Sequence, residues 1–340
     1  MTKMSKRGQI ALYSRRLGFT RMLESLRTQR RIVILTYHRI GDTESNSYDP
    51  AVFSASAEQF GEQVAYLKKH FRILTLDELL DSAARAGSLR GAGFYLTFDD
   101  GYLDNYSLAF PILRTQGVQG TFFLPTSFIG TDRVPWWDSI AYVFRNSKQG
   151  VIHLDYPFEA TYDTHGERWR DELRRLLKHF KSPQTAQPAR FLEQLQSVCG
   201  VPMPERANLF MNWEQALEMR QAGMEMQSHA HSHEILSKLT PAAQYEELVT
   251  SKRTLDERLG NGCRAICYPV GGADCFNQDT IDAARRAGYV CGFTYIGGLT
   301  TPGHTDLFRI RRLSVEANQT FDRFRFNAVA SAVSGRAVSL

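Results

Sequence analysis

No run of about 18 apolar residues occurs in this 340-residue chain, so nothing in it reads as a membrane-spanning helix. Cysteine is sparse and odd in number. The five residues Cys199, Cys263, Cys267, Cys275 and Cys291 lack the paired spacing of a zinc site. Free buried thiols are the simplest expectation. Acidic residues are almost missing from positions 1–31, where Glu24 stands alone against nine Lys/Arg. That stretch also lacks a continuous apolar core, which argues against a secretory signal and makes the cytoplasm the expected location. Internal repeats and low-complexity tracts are missing as well, which excludes a solenoid.

What is present is an ordinary globular composition, 43% hydrophobic and 23% charged. It permits one large α/β domain, or one domain plus an insertion. The net charge is +5. The basic leader accounts for more than that excess, so the remaining body is slightly acidic and no nucleic-acid partner is expected. Leu12, Leu17, Phe19, Met22, Leu23 and Leu26 interleave with the leader's basic residues. Residues 1–30 therefore read as a basic amphipathic segment. It either touches an anionic membrane surface peripherally or packs on the body, and packing is the more ordinary use of such a helix.

Short β-branched and aromatic runs read as buried strands at 32–37, 93–98, 120–124, 224–226, 265–268, 290–295 and 308–315. Helical patterns lie between them. Thr75 and Glu78 form a capping box, Asn212 and Asn277 stand at helix starts, and Thr240-Pro241 combines an N-cap with proline at the first helical position. Strand alternating with helix in this way predicts an α/β protein with a largely parallel sheet, open or closed into a barrel. The stretch 131–210 breaks the rhythm and reads as a helical insertion, with helices near 168–181 and 189–198. Trp136 and Trp137 lie within it, suited either to stacking on a sugar ring or to anchoring the insertion.

Three segments carry chemistry, and each follows a strand. Thr97-Phe98-Asp99-Asp100-Gly101 places two adjacent carboxylates at a strand end. That is costly to bury without a use, although Asp-Asp-Gly is also an ordinary turn. Ser228-His229-Ala230-His231-Ser232-His233 gathers three of the chain's nine histidines. On a helical turn, His229 and His233 would share a side and could hold one metal ion with a carboxylate, leaving His231 pointing away. Tyr268-Pro269-Val270-Gly271-Gly272 is a turn whose backbone N–H groups could face an oxyanion. Strand C-terminal ends converge on one face of a parallel barrel, so these segments are expected to meet.

Together these segments resemble the polysaccharide deacetylases (carbohydrate esterase family 4, the NodB-homology domain). Tyr37-His38-Arg39-Ile40 is similar to the first strand of the branch acting in bacterial exopolysaccharide biosynthesis. The resemblance implies a distorted (β/α)7 barrel over about 31–318 with a helical insertion at about 131–210, and leaves 319–340 as a C-terminal helix or tail. It implies a hydrolase removing acetyl groups from a carbohydrate that bears N-acetyl groups. Asp99 would be the catalytic base, and Asp100, His229 and His233 would ligate a divalent metal, zinc foremost, with cobalt or manganese as substitutes. Val270 would supply the oxyanion N–H, and Tyr268 and Trp137 would contact substrate.

Two departures stand out. The arginine that orients the base in many members, two residues before the motif-three proline, is Cys267 here, and Arg39 is a candidate replacement. The late Leu-x-His that supplies the general acid is not seen, which leaves His38, at a strand end, ahead of His304. Alternatives are an O-acetyl esterase acting on a carbohydrate, a different metal-dependent amidase, or a degenerate glycan-binding barrel. A binding-only protein has no need of Asp99 beside the ligand set.

Overall fold

A computed structural model describes residues 31–43, 48–85, 89 and 91–334. The basic segment 1–30 lies outside the described residues. Among those described, no helix is long and apolar enough to cross a membrane. The described residues form twelve strands, β1 Ile32–Tyr37, β2 Arg39–Ile40, β3 Phe53–Ala55, β4 Arg72–Ile73, β5 Gly93–Phe98, β6 Thr121–Leu124, β7 Val151–Leu154, β8 Ala160–Asp163, β9 Glu225–Ser228, β10 Ala265–Cys267, β11 Cys291–Gly297 and β12 Ile310–Ser314.

Seven of them, in the spatial order β1-β12-β11-β10-β9-β6-β5, form a parallel sheet that closes on itself through β1 and β5. The closing register pairs Ile32 with Gly93 and runs without a slip to Tyr37 with Phe98. β4 pairs with the start of β5 only, at Gly93 and Phe94, whereas β6 pairs with its end, at Thr97 and Phe98. The expected distorted (β/α)7 barrel is the fold observed.

The strands are buried on both faces, as a barrel jacketed by helices requires. Alternation divides β1 cleanly. Ile32 and Ile34 join Tyr95, Phe123, Ala265, Cys267, Cys291, Phe293 and Ile310 in one cluster, the packed barrel interior. Val33, Leu35 and Tyr37 join the larger cluster beneath the helices. The period of two then carries Thr36, Thr97 and Arg312 inward as well, one layer higher, and leads on to His38 and Asp99 just past the strand ends.

The helix starts read from sequence carry side-chain caps at Thr75, Asn212, Thr240 and Asn277. The helix Ala57–His70, opened by a capping box of Ser56 and Gln59, is an addition to the elements that periodicity singled out.

The described residues divide into two compact units, one comprising the barrel strands and the C-terminal helix Phe321–Ser334, the other Thr43–Val52 with Thr131–Leu209. The second unit holds the helices Trp136–Arg145, Trp169–Lys181 and Pro188–Cys199 and an antiparallel hairpin, β7 with β8. The hairpin and the first of these helices have no counterpart in the sequence reading. The burial alternation of β7 shows why: Val151 and His153 are exposed and only Ile152 and Leu154 are buried, a signal of four residues.

Candidate metal centre

Asp99 and Asp100 follow β5 directly. Because Tyr37 pairs with Phe98, the next residue on each strand falls beside the other, and His38 Nε2 stands 3.9 Å from Asp99 Oδ2. Asp99 is held from across the interior by Arg312 of β12. Its Nη1 donates to Asp99 Oδ1 and its Nη2 to Oδ2, both at 2.8 Å. Arg312 also donates through Nε to the Thr294 carbonyl at 2.8 Å and through Nη1 to Thr97 Oγ1 at 3.1 Å. Burial pushes the Asp99 carboxyl up. The Arg312 charge and its hydrogen bonds outweigh that and hold Asp99 below the usual carboxylate range.

The vacancy left by Cys267 is thus filled from the neighbouring part of the sheet. Arg312 Nη2 lies 3.0 Å from Cys267 Sγ, so the guanidinium occupies space that a larger side chain at 267 would take. Arg39 does not serve here. It pairs with Asp104 at 2.8 Å, its guanidinium lying over the rings of Phe53 and Tyr102. Nothing in Phe308-Arg-Ile-Arg-Arg-Leu313 says which arginine points inward. The register shows that Arg312, two residues on from buried Ile310, shares its inward face.

The second carboxylate turns back toward the histidines. Asp100 Oδ1 lies 3.4 Å from His229 Nε2 and 3.2 Å from His233 Nε2. One ligand atom from each of the three falls within 4.8 Å of the others, and all three residues are buried. The expected helical turn is replaced by an irregular loop in which Ala230 (φ 60°) and His233 (φ 59°) are left-handed. The rings still meet, with centroids 4.7 Å apart. His231 turns away, its Nδ1 2.9 Å from Thr126 Oγ1. Glu247 closes the loop from outside, accepting from the backbone N–H groups of His231 and Ser232 at 3.1 and 2.8 Å.

The donor set fits a divalent ion. His229 Nδ1 donates to the Cys267 carbonyl at 2.7 Å, which leaves the lone pair of Nε2 facing the Asp100 carboxylate. Two acceptors at that separation call for a cation between them. Two imidazoles and one carboxylate with open positions form a common catalytic set. Burial opposes ionisation of Asp100, but the two histidines beside it hold its carboxyl well below the usual range, in the ligating form.

Val270 follows the end of β10 with φ 61°, a conformation uncommon for any residue with a β-carbon and an outlier for a branched one. The non-glycine residues with positive φ are Asp100, Ala230, His233 and Val270, all within the three motif segments among the described residues. Such strain costs about 1–3 kcal/mol per residue and gathers at working sites.

Two expected substrate contacts do not fit their places. The Tyr268 side chain is fully buried, stacks on Phe276 and donates its hydroxyl to the Phe308 carbonyl, so it faces the core. Trp137, in the second unit, is 7% exposed and edge-on to Trp136, which stacks on Phe180, an arrangement of packing. His304 is exposed on the loop after Thr300, and Thr300 bridges Ile32 at the start of β1, the end of the strand away from Asp99. His38 is the candidate acid that the fold brings to the site.

A family model described as polysaccharide deacetylase matches residues 87–292, more than half of the chain. A Bacillus subtilis (strain 168) protein named for polysaccharide deacetylation, YxkH, is 24% identical over 276 residues, which cover 80% of this chain and 66%, just under two thirds, of that relative. The poly-β-1,6-N-acetyl-D-glucosamine N-deacetylase of Staphylococcus epidermidis is 24% identical over 302 residues, covering 85% of this chain and 80% of the relative. Among solved structures, IcaB from Ammonifex degensii shares the fold with a TM-score of 0.56 at 21% identity, covering 90% of this chain and 98% of that one. The Streptococcus pyogenes deacetylase PplD, solved with acetate, gives 0.56 at 20% identity over 86% and 96%. This chain belongs to the polysaccharide deacetylase family, hydrolases that act on the carbon–nitrogen bond of N-acetylated glycans.

Proposed function

We propose that this protein removes the acetyl group from N-acetylglucosamine-type units of an exopolysaccharide or its precursor, with Asp100, His229 and His233 holding a divalent ion, zinc foremost. One observation carries the reading. Beside the three ligand atoms stands a second buried carboxylate, Asp99, kept anionic by the two parallel hydrogen bonds from Arg312. Glycan binding alone has no use for it. The staphylococcal relatives named for poly-β-1,6-N-acetyl-D-glucosamine support the choice of sugar.

The ion, when bound, supplies Lewis acidity to the acetamide carbonyl and to water. Asp99 accepts the proton as water attacks the carbonyl carbon. The Val270 N–H donates to the oxygen that becomes negative, from a backbone already fixed in the required conformation. His38, 23% exposed at its side chain and next to Asp99, delivers the proton to the departing amine. The products are acetate and a free amino sugar.

Elemental analysis of the purified chain, with His229→Ala and Asp100→Ala beside it, tests the ligand set. About one transition-metal ion per chain is expected in the native protein and loss in both variants. Acetate release from N-acetylglucosamine oligomers, with Asp99→Asn as control, then tests the chemistry. A metal-loaded native chain that releases no acetate overturns the reading.

A further inference from the structure

Tyr295 is 43% exposed, the most exposed aromatic ring among the described residues. Single exposed apolar side chains are common. This one is placed by an irregularity of the barrel, at the mouth of the site.

β11 and β12 pair at Phe293 with Ile310 and again at Gly297 with Arg312. Four steps along β11 match two along β12, so β11 bulges between the two pairings. A bulge frees backbone groups from the ladder and redirects side chains, and bulges favour barrel rims and active sites. Both effects are visible. The freed Thr294 carbonyl accepts from Arg312 Nε at 2.8 Å, and the Thr294 hydroxyl donates to the Ile310 carbonyl at 3.1 Å. The next side chain, Tyr295, leaves the buried run Cys291–Thr294 and becomes exposed.

Its surroundings are the parts of the site that handle the leaving group and the oxyanion. The Tyr295 ring stands edge-on to His38, with centroids 5.7 Å apart and planes at 72°. Its backbone N–H donates to the Gly271 carbonyl at 2.8 Å, next to Val270. Gly271 has φ 63°, and a β-carbon there would lie 2.6 Å from Tyr295 N. The motif-three turn is therefore glycine partly because Tyr295 packs against it. A partly exposed aromatic ring lies beside the candidate acid and the turn of the candidate oxyanion donor, its hydroxyl anchored by Ser314.

From this geometry we infer that Tyr295 is a substrate-binding platform on which a pyranose ring of the glycan stacks, bringing the acetamide toward Val270 and the glycosamine nitrogen toward His38. A pyranose presents a face of C–H groups that suits an aromatic ring, and the hydrogen bond between the Tyr295 hydroxyl and Ser314 fixes that ring in place. The inference rests on the deacetylase reading and supplies the substrate contact that buried Tyr268 and Trp137 do not.

The test is equilibrium binding of an N-acetylglucosamine oligosaccharide to the metal-loaded full chain. An Asp99→Asn background prevents the ligand from being consumed. Replacing Tyr295 by Ala is expected to weaken binding about tenfold or more, and Tyr295→Phe to restore most of it, because stacking needs the ring. In the active protein, Tyr295→Ala should raise KM by a larger factor than it lowers kcat. Unchanged binding by Tyr295→Ala overturns the platform, as does a loss that Phe fails to restore or one carried wholly in kcat. A native chain that binds the oligosaccharide through Tyr295 but releases no acetate overturns the deacetylase reading and leaves the platform standing.

Discussion

Arg312 and Asp99 meet as a two-pronged ion pair inside the barrel, with both N–H···O distances at 2.8 Å and both side chains almost wholly buried. The family's usual arginine position is Cys267, and its sulfur lies 3.0 Å from the same guanidinium. The tether expected from β10 is supplied by β12 instead.

Removing Arg312 should therefore strand a buried carboxylate. Arg312→Ala is expected to cost about 3–5 kcal/mol of stability, the usual penalty for breaking a buried pair from one side. Arg312→Lys keeps the charge but loses the parallel donors, and misplacing the base should lower kcat/KM by about 100-fold. Urea denaturation and acetate-release kinetics on both variants check this. An Arg312→Ala chain as stable and active as the native one would remove Arg312 from the site.

Much of this site is legible in the sequence, and the reasons differ by residue. Asp99 and Asp100 stand out because a strand ends in two carboxylates, and β5 then lies where its apolar run places it. His229 and His233 stand out by the clustering of three histidines and by their spacing of four residues. A loop with two left-handed residues joins them in place of the expected helical turn, a conformation their side chains do not announce. Arg312 is hidden because two adjacent arginines, Arg311 and Arg312, share one short strand and parity cannot choose between them until the register with β1, Leu35 to Leu313, is known. Tyr295 is hidden for a related reason. Two extra residues on β11 redirect the side chains between Phe293 and Gly297, so strict alternation read from the sequence misplaces Tyr295.

If Val270 works through its backbone, its side chain should be dispensable. Val270→Gly releases a strained branched residue but adds freedom to the unfolded chain, effects of similar size and opposite sign. The expected result is a stability within about 1 kcal/mol of native and kcat within a few-fold, since the N–H donor remains. A loss of 100-fold or more, with the fold intact by circular dichroism, would show that the isopropyl group itself matters.

Metal binding should be readable as stability without any substrate. A ligand present at about 100 times its Kd adds roughly 2.7 kcal/mol to the folded state. Zinc-loaded protein should melt several degrees above chelator-treated protein, and His233→Ala should melt at the same temperature with or without zinc. A zinc-dependent shift that survives in His233→Ala would place the ion on other residues.

The buried thiols predict the behaviour in alkali. Burial pushes the Cys263 and Cys291 thiols up to about 12, whereas an unfolded cysteine ionises near about 8.5. Between those values the unfolded chain gives up protons that the folded chain keeps. Their ionisation therefore favours unfolding: the contribution is intact below about pH 8.5 and is lost as pH rises toward 12. From pH 8 to pH 10 each thiol should subtract about 2 kcal/mol. Urea unfolding at the two pH values, on the native chain and on Cys263→Ala/Cys291→Ala, isolates this effect, because the cavity cost of the alanines is the same at both. The native chain should lose stability more steeply than the double variant, and its two thiols should resist iodoacetamide at pH 8.5 until urea is added. Parallel declines in the two proteins would mean that water reaches both sulfurs in the native state.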